Sequence, residues 1–396
     1  MSMAAAGRVA PLLLLIVFSG VAFWSALPPR ALPYDAPADL FSAERAHAHL
    51  YEFATEPHPA GSREWIAARD YLVEAMEGYG LDVEVQRGAV GPPGNSVWYV
   101  ENVIARIPGT DNEYPFAVTA HYDSALQAVA AADDGGGCVA MLEAARALMA
   151  LPRMKNDIVF IFTSNEEKGS SSIRRSLEHP WLENMSAIVG LEARGTYGPA
   201  FLFQTSLGNK QLVRALIDSG APAHANSLMI AIEGRTPTGT DFSNVRRKPG
   251  QLDGVLGYDI AFVGGLGWYH THNDRPELVS KHSLQHHGEY VMALAQHYGQ
   301  LDYAVEASED NATYFNPFGH VLVSYPAFLS HVISGLAALL TLAALALAWR
   351  RGLFTITGFL AAFAITIGLM AVLAGVFYPL LVLAFNWFYV FIVYNA

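Results

Sequence analysis

The chain has 396 residues, one cysteine, and 36 acidic against 24 basic side chains, giving a formal charge of -12. That balance excludes a basic stripe able to neutralise nucleic-acid phosphates. The single Cys138 excludes an intramolecular disulfide framework and a cysteine-based metal site, and its small apolar neighbours point to a buried core thiol. Hydrophobic residues make up 52% of the sequence and concentrate at both ends, so a membrane-attached protein with a soluble body between its apolar ends is expected.

Val9 to Leu27 carries no charge and is long enough to cross a bilayer, which takes about 20 apolar residues. It exceeds the roughly 7–15 residues of a cleaved signal's apolar region, so residues 1–30 are predicted to hold a transmembrane signal anchor. Residues 37–305 form the soluble body, where apolar runs alternate with helical spacing as in an α/β sheet. Leu40 to Phe53 and Trp65 to Tyr79 read as helices, separated by the breaker Glu56-Pro-His-Pro-Ala-Gly-Ser62. Strands are predicted at Val83 to Gln86, Trp98 to Ile107, Phe116 to His121, Ile158 to Thr163, Ala187 to Leu191, Phe201 to Gln204 and Gly257 to Val263. Helices are predicted at Cys138 to Leu151, Ser170 to Glu178, Leu207 to Ser219 and Ser280 to Tyr303. His282, His286, His287 and His297 spread around that last helix and read as a solvated face rather than a metal tract.

Glu306 to Asn316 is polar without a clear period, and residues 306–325 read as a linker. Residues 326–396 supply further membrane segments, two or three helices. Pro326 to Trp349 is one span, and Leu353 to Ala396, without a charged side chain, fits two packed in tandem. Trp387, Phe388 and Tyr389 resemble an interfacial aromatic belt. Arg350-Arg351 between the spans should stay cytoplasmic, which puts the soluble body on the periplasmic, extracellular or luminal side. The acceptor sequences Asn184-Met-Ser186 and Asn311-Ala-Thr313 are compatible with that side.

The chemistry collects where apolar runs end. Glu166 and Glu167 stand side by side after Asp157-Ile-Val-Phe-Ile-Phe-Thr-Ser-Asn165. Adjacent carboxylates repel, so such a pair points to a cation between them or a proton retained on one. His121-Tyr-Asp-Ser124, Asp133-Asp134, Glu192 and Tyr269-His270 lie at similar places, beyond strands whose carboxyl ends line the crevice of an open α/β sheet. Imidazoles mixed with hard carboxylates suit zinc. Asp134, just before a helix, reads as a capping residue.

Together these segments resemble the di-zinc exopeptidases and aminopeptidases, closest to the membrane-anchored endoplasmic reticulum metallopeptidase and vacuolar membrane protease branch. The resemblance rests on Glu56 to Ser62, His121 to Ser124, Ala132-Asp-Asp-Gly135, Asn165-Glu-Glu167, Leu191-Glu-Ala193, Thr240-Asp-Phe242 and Tyr269-His-Thr-His-Asn-Asp274. It implies a mixed central sheet flanked by helices and two Zn2+ per chain. His121, Asp133, Glu167, Glu192 and His270 would be ligands, with Asp133 bridging. Glu167 would serve either the His121 side or its partner site. Asp123 would orient His121, Glu166 would be the general base acting on a metal-bridged water, and Tyr269 would stabilise the oxyanion. Glu192 stands where many soluble relatives carry Asp, and His272, two residues past His270, is a candidate additional ligand of lesser weight.

The implied activity is peptide-bond hydrolysis by a membrane-anchored aminopeptidase acting on a peptide substrate at the lipid bilayer. A carboxypeptidase on the same core stays open, with Arg194 and Arg235 as candidate carboxylate partners. Glutaminyl cyclase shares the fold with generally one zinc, and a receptor or scaffold relative would have lost ligands or the base, whereas every position is filled here.

Overall fold

The computed structural model describes residues 3–25, 27–91, 97–169, 171–233, 239–246, 254–306, 308, 310–319 and 321–395. Met1–Pro326 forms one compact unit and Ala327–Ala396 a second. The first unit opens with the apolar helix α1 (Met3–Ser25). Helices α2 (Ala43–Phe53) and α3 (Arg63–Gly78) follow, capped by Ser42 and Ser62, whose hydroxyls accept from the N–H groups of Arg45 and Trp65. Those caps satisfy donors that a helix's first turn leaves without an internal partner.

The eight-stranded sheet comprises β1 (Asp82–Val90), β2 (Trp98–Ile107), β3 (Phe116–His121), β4 (Ile158–Thr163), β5 (Ala187–Ala193), β6 (Phe201–Thr205), β7 (His224–Ala225) and β8 (Gly257–Phe262). Their spatial order is β1-β2-β4-β3-β5-β8-β6-β7. The central β4, β3, β5 and β8 are mutually parallel, while β2 and β6 run antiparallel to β4 and β8, so the sheet is mixed. Every residue of the four parallel strands is buried, as continuous apolar runs require when both faces are covered. On β3, Phe116, Val118 and Ala120 join the main core with α4 (Gly135–Met149) and α9 (Lys281–Tyr298). Ala117 faces the opposite layer, where α5 (Ser171–Ser176) and α8 (Asp241–Val245) contribute Ile173, Phe242 and Val245. The remaining helices are α6 (Lys210–Asp218) and α7 (Ser227–Glu233).

Three expectations are corrected. Residues 312–325, read as linker, form with Pro326 an antiparallel hairpin of β9 (Ala312–Phe318) and β10 (Val321–Pro326). Polar groups hold it to the body: Ala312 N–H donates to Asn209 Oδ1, Tyr314 N–H to Ser227 Oγ and Asn316 Nδ2 to the Ala223 carbonyl. On α9, His286 and His287 are not solvated but fully buried. That helix has the sheet layer on one side and α2, α4 and α6 around it, so little of it is left to water. Lastly, Leu353 to Ala396 does not divide into tandem spans. In the second unit α10 (Phe328–Arg350) is followed by one long helix, α11 (Ile356–Asn395), which continues through Pro379. No turn-forming polar cluster interrupts the apolar run, and a lone proline removes a single N–H from the ladder. Phe328–Arg350 and Ile356–Phe377 are each long and apolar enough to cross a membrane, which fits a membrane protein.

Candidate metal centre

The centre lies at the carboxyl ends of the four parallel strands, where an open α/β sheet leaves its crevice. His121 is the last residue of β3, Glu192 sits near the end of β5, Glu166 and Glu167 follow β4, and His270 lies in the loop after β8. Asp133 enters from the segment before α4, whose amino terminus Asp134 caps by accepting from Gly137 N–H at 2.9 Å. A side chain at Gly137 would press a Cβ within 2.5 Å of that capping carboxylate, which would have to shift to admit it.

Two triads result, with Asp133 in both. His121, Asp133 and Glu192 place one ligand atom each within 4.8 Å of one another, and so do Asp133, Glu167 and His270. Asp133 Oδ1 is 3.4 Å from His121 Nε2, whereas its Oδ2 is 3.0 Å from His270 Nε2. Glu167 Oε1 also approaches His270 Nε2 at 3.0 Å. Neither of the latter contacts has hydrogen-bond geometry, so Asp133 Oδ2 and Glu167 Oε1 are buried without a donor among the described residues. Burying carboxylate oxygens unpaired is expensive. Two carboxylates and an imidazole converging on one point fit a divalent cation of the zinc class.

Fixed backbone groups hold these ligands in place. His121 Nδ1 contacts the main-chain carbonyl of Asp123 at 2.9 Å, while the Asp123 carboxylate lies 3.6 Å away. That carboxylate instead accepts from the N–H groups of Glu166 at 2.8 Å and Glu167 at 3.2 Å, tying the glutamate turn to the histidine strand. The His58 backbone joins the same loop, donating to Ser124 Oγ and accepting from Ser124 N–H. Asp274 accepts from the N–H groups of Ala132 and Asp133 at 2.8 and 3.0 Å, which fixes the shared aspartate against the His270 loop.

The electrostatics follow from so many carboxylates in a dry site. Burial pushes Glu166 up to about 8; His121 pulls the other way, and Asp241, Asp123 and Glu167 reinforce the rise. Burial, then Glu166, drives Glu192 well above the usual carboxylate range. Burial would raise Asp133 too, but its contacts with His121 and His270 win and hold it at about 2. For His270 burial opposes the charged form, and the carboxylates of Asp133 and Glu167 prevail, raising it to about 9. Divalent cations would take over the role that the imidazolium protons play in this balance.

Residues 102–295 match Peptidase family M28. The chain carries a Peptidase family M28 domain. It is 27% identical over 325 residues to endoplasmic reticulum metallopeptidase 1 of Mus musculus, an alignment covering 74% of this chain and 35% of that protein. It is 29% identical over 292 residues to the vacuolar membrane protease of Eremothecium gossypii, covering 68% of this chain and 28% of the relative. The chain thus spans about a third of the length of these curated relatives. In fold it is similar to a zinc aminopeptidase from Bacillus subtilis, with a TM-score of 0.51 at 16% identity over 71% of this chain and 98% of that one.

Within the M28 domain, His121, Asp133, Glu167, Glu192 and His270 come together in the two triads, and Glu166 stands outside both. Tyr269 stacks on the His270 ring at 3.8 Å between centroids, and Arg194 Cζ lies over the Tyr269 ring, 5.3 Å from its centroid. Burial, then Asp133, pushes the Tyr269 hydroxyl up, so it stays a neutral donor. His272 is exposed and belongs to neither triad. Arg235 lies outside the described residues. Two aspartates had no assigned role in the sequence reading. Asp274 braces Asp133, and Asp241 accepts a short hydrogen bond from the Thr163 hydroxyl behind Glu166, with burial raising it to about 6. Their signal was the short segments Tyr269 to Asp274 and Thr240-Asp-Phe242, which named them without a function.

Proposed function

We propose that this domain is a zinc-dependent exopeptidase of the aminopeptidase type that binds two zinc ions per chain. The observation supporting it is the pair of buried triads joined through Asp133, each with imidazole and carboxylate donors. His121 and Glu192 would hold one ion, Glu167 and His270 the other, with one Asp133 oxygen for each. Bound zinc supplies Lewis acidity and eases deprotonation of water near neutral pH.

The residues do the rest. Glu166, held by Asp123 through its backbone N–H, accepts a proton from the attacking water. It then delivers that proton to the departing amine, so the peptide C–N bond breaks with no net change in protein charge. Tyr269 donates its hydroxyl proton in a hydrogen bond to the developing oxyanion. Two complete triads favour hydrolysis over a single-metal cyclase. A carboxypeptidase is the second reading, favoured by the guanidinium of Arg194 beside Tyr269. The Arg350-Arg351 loop supports an orientation with this domain on the non-cytoplasmic face of the membrane.

The decisive experiment combines elemental analysis of the purified chain with a screen of aminoacyl, amino-blocked and carboxyl-terminal reporter peptides, with and without chelator. The reading expects about two zinc ions and chelator-sensitive release of amino-terminal residues. One ion, or activity indifferent to chelation, overturns it.

A further inference from the structure

Arg194 is placed beside the centre just beyond the end of β5. It is the first residue after that strand, two past Glu192, and its N–H donates to the Phe262 carbonyl at the end of β8. Its guanidinium lies over the Tyr269 ring, which in turn stacks on His270, a member of the second triad. The three side chains make a stack that starts at a ligand and ends in a cation. His270 is 36% exposed and Arg194 is half-buried, so this stack borders the open side of the site.

The cation is underused. One Nη2 donor goes to the Gly239 carbonyl at 2.9 Å, and no other side-chain donor of Arg194 has an acceptor among the described residues. No described carboxylate lies within ion-pair distance, although the site is crowded with them, and the arginines at 45, 69, 106, 146, 175 and 214 all have such partners. A guanidinium presents its donors as a planar fork that matches a carboxylate bidentately. An arginine kept beside a hydrolytic centre with its fork unspent is suited to an anionic group brought by the substrate.

We propose that Arg194 is a specificity-determining residue that binds the free α-carboxylate of the residue released on the far side of the scissile bond. The substrate is then a dipeptide or the carboxyl-terminal residue of a longer peptide, rather than the amino end of a long chain. This rests on the hydrolytic reading above: a dipeptide substrate narrows the aminopeptidase assignment, and a carboxyl-terminal residue of a longer peptide selects the carboxypeptidase one. Glu166 still transfers the proton, and Arg194 sets which peptide can place its carbonyl there.

The test uses the full-length, zinc-loaded chain in detergent or lipid discs. Calorimetry compares alanine with alaninamide, two probes that differ only in the carboxylate, and kinetics compare alanyl-alanine with alanyl-alaninamide. Wild type should favour the acid by about 10- to 100-fold in both assays, the range of a charge-assisted bidentate contact. Arg194→Gln should bring both ratios near one, chiefly through KM, and Arg194→Lys should retain part of the preference. Wild-type ratios near one, or equal losses on acid and amide in Arg194→Gln, overturn the proposal and leave Arg194 a support for Tyr269. If the wild type hydrolyses neither peptide yet binds alanine over alaninamide, carboxylate binding stands and the hydrolytic reading falls. Alanyl-alanine cleaved with its amino group free but not when acetylated, alongside that preference, identifies a dipeptidase; cleavage of both identifies a carboxypeptidase.

Discussion

Two of the regions that enclose histidines do opposite things with them. At the strand ends His121 and His270 converge on Asp133, Glu167 and Glu192, and nearby carboxylates more than offset the cost of burial, so both imidazoles are pushed toward the charged form. On α9 the adjacent His286 and His287 are more deeply buried than His270. His286 uses its two nitrogens on the Ala200 N–H and the Pro222 carbonyl. His287 packs 4.8 Å from the Phe262 ring with neither nitrogen hydrogen-bonded among the described residues, and burial alone lowers it to about 3. The comparison teaches that histidine density says little about metal binding; what matters is whether acids from other strands arrive at the same point.

The largest effect should come from the residue that both triads share. Asp133→Asn is expected to lose both zinc ions and to reduce turnover to background, because a neutral amide cannot offer two anionic oxygens. Elemental analysis showing one ion retained would mean that the two triads are independent. Next comes Glu166→Gln, which should keep its metal and lose about 10²–10⁴-fold in kcat, the usual value of a proton-transfer group. Metal loss in that variant would move Glu166 into the ligand set and break the division of labour between the two glutamates.

A smaller effect is expected at Asp123, which acts through the turn rather than on the metal. Asn at 123 would keep one acceptor for the N–H groups of Glu166 and Glu167 and turn an NH2 against the other. Zinc affinity should fall by about 10- to 100-fold, as for other groups that orient ligands. An unchanged affinity by competition with a chromogenic chelator would show that the ligands hold themselves.

The mildest prediction concerns the other histidine region. His287 has a native pKa of about 3 against about 6.5 when unfolded, so below pH 6.5 the unfolded chain binds the extra proton. Stability is therefore full above that pH and declines as pH falls, by about 2 kcal/mol at pH 5 for this one group. His287→Leu should flatten the acid side of the stability curve measured by denaturant unfolding while leaving zinc content unchanged. Parallel curves for wild type and variant would mean that His287 finds a proton acceptor, and the contrast with His121 would shrink.

How much was legible depends on how local the information is. The bounds of β2, β3 and β4 could be read because each is an unbroken apolar, β-branched or aromatic run that nothing but a covered strand explains. The candidate ligands were legible as residue types following such runs, since strand ends and metal donors are both local features. The β9–β10 hairpin was not, because what fixes it lies far away in the chain: the Asn209 and Ser227 side chains accept from its backbone, and its own Asn316 side chain donates to the Ala223 carbonyl. The burial of His286 and His287 was hidden as well: a helix covered on most sides carries no contrast between faces, so two imidazoles there look the same as two in water.

The sequence by itself determined the α/β sheet and the apolar ends, because each follows from composition or from spacing along a few residues, and the candidate ligands with the place of Asp133 among them came from the resemblance its motifs carry. Only the tertiary structure decided that Glu167 shares its site with His270 rather than His121, that the Asp123 carboxylate holds the glutamate turn while its carbonyl holds the imidazole, and that Asp274 braces the shared aspartate. Those assignments depend on which strand lies beside which. The order β4-β3-β5-β8 brings together side chains from far apart in the chain, and angstrom distances between them cannot be read from sequence separation.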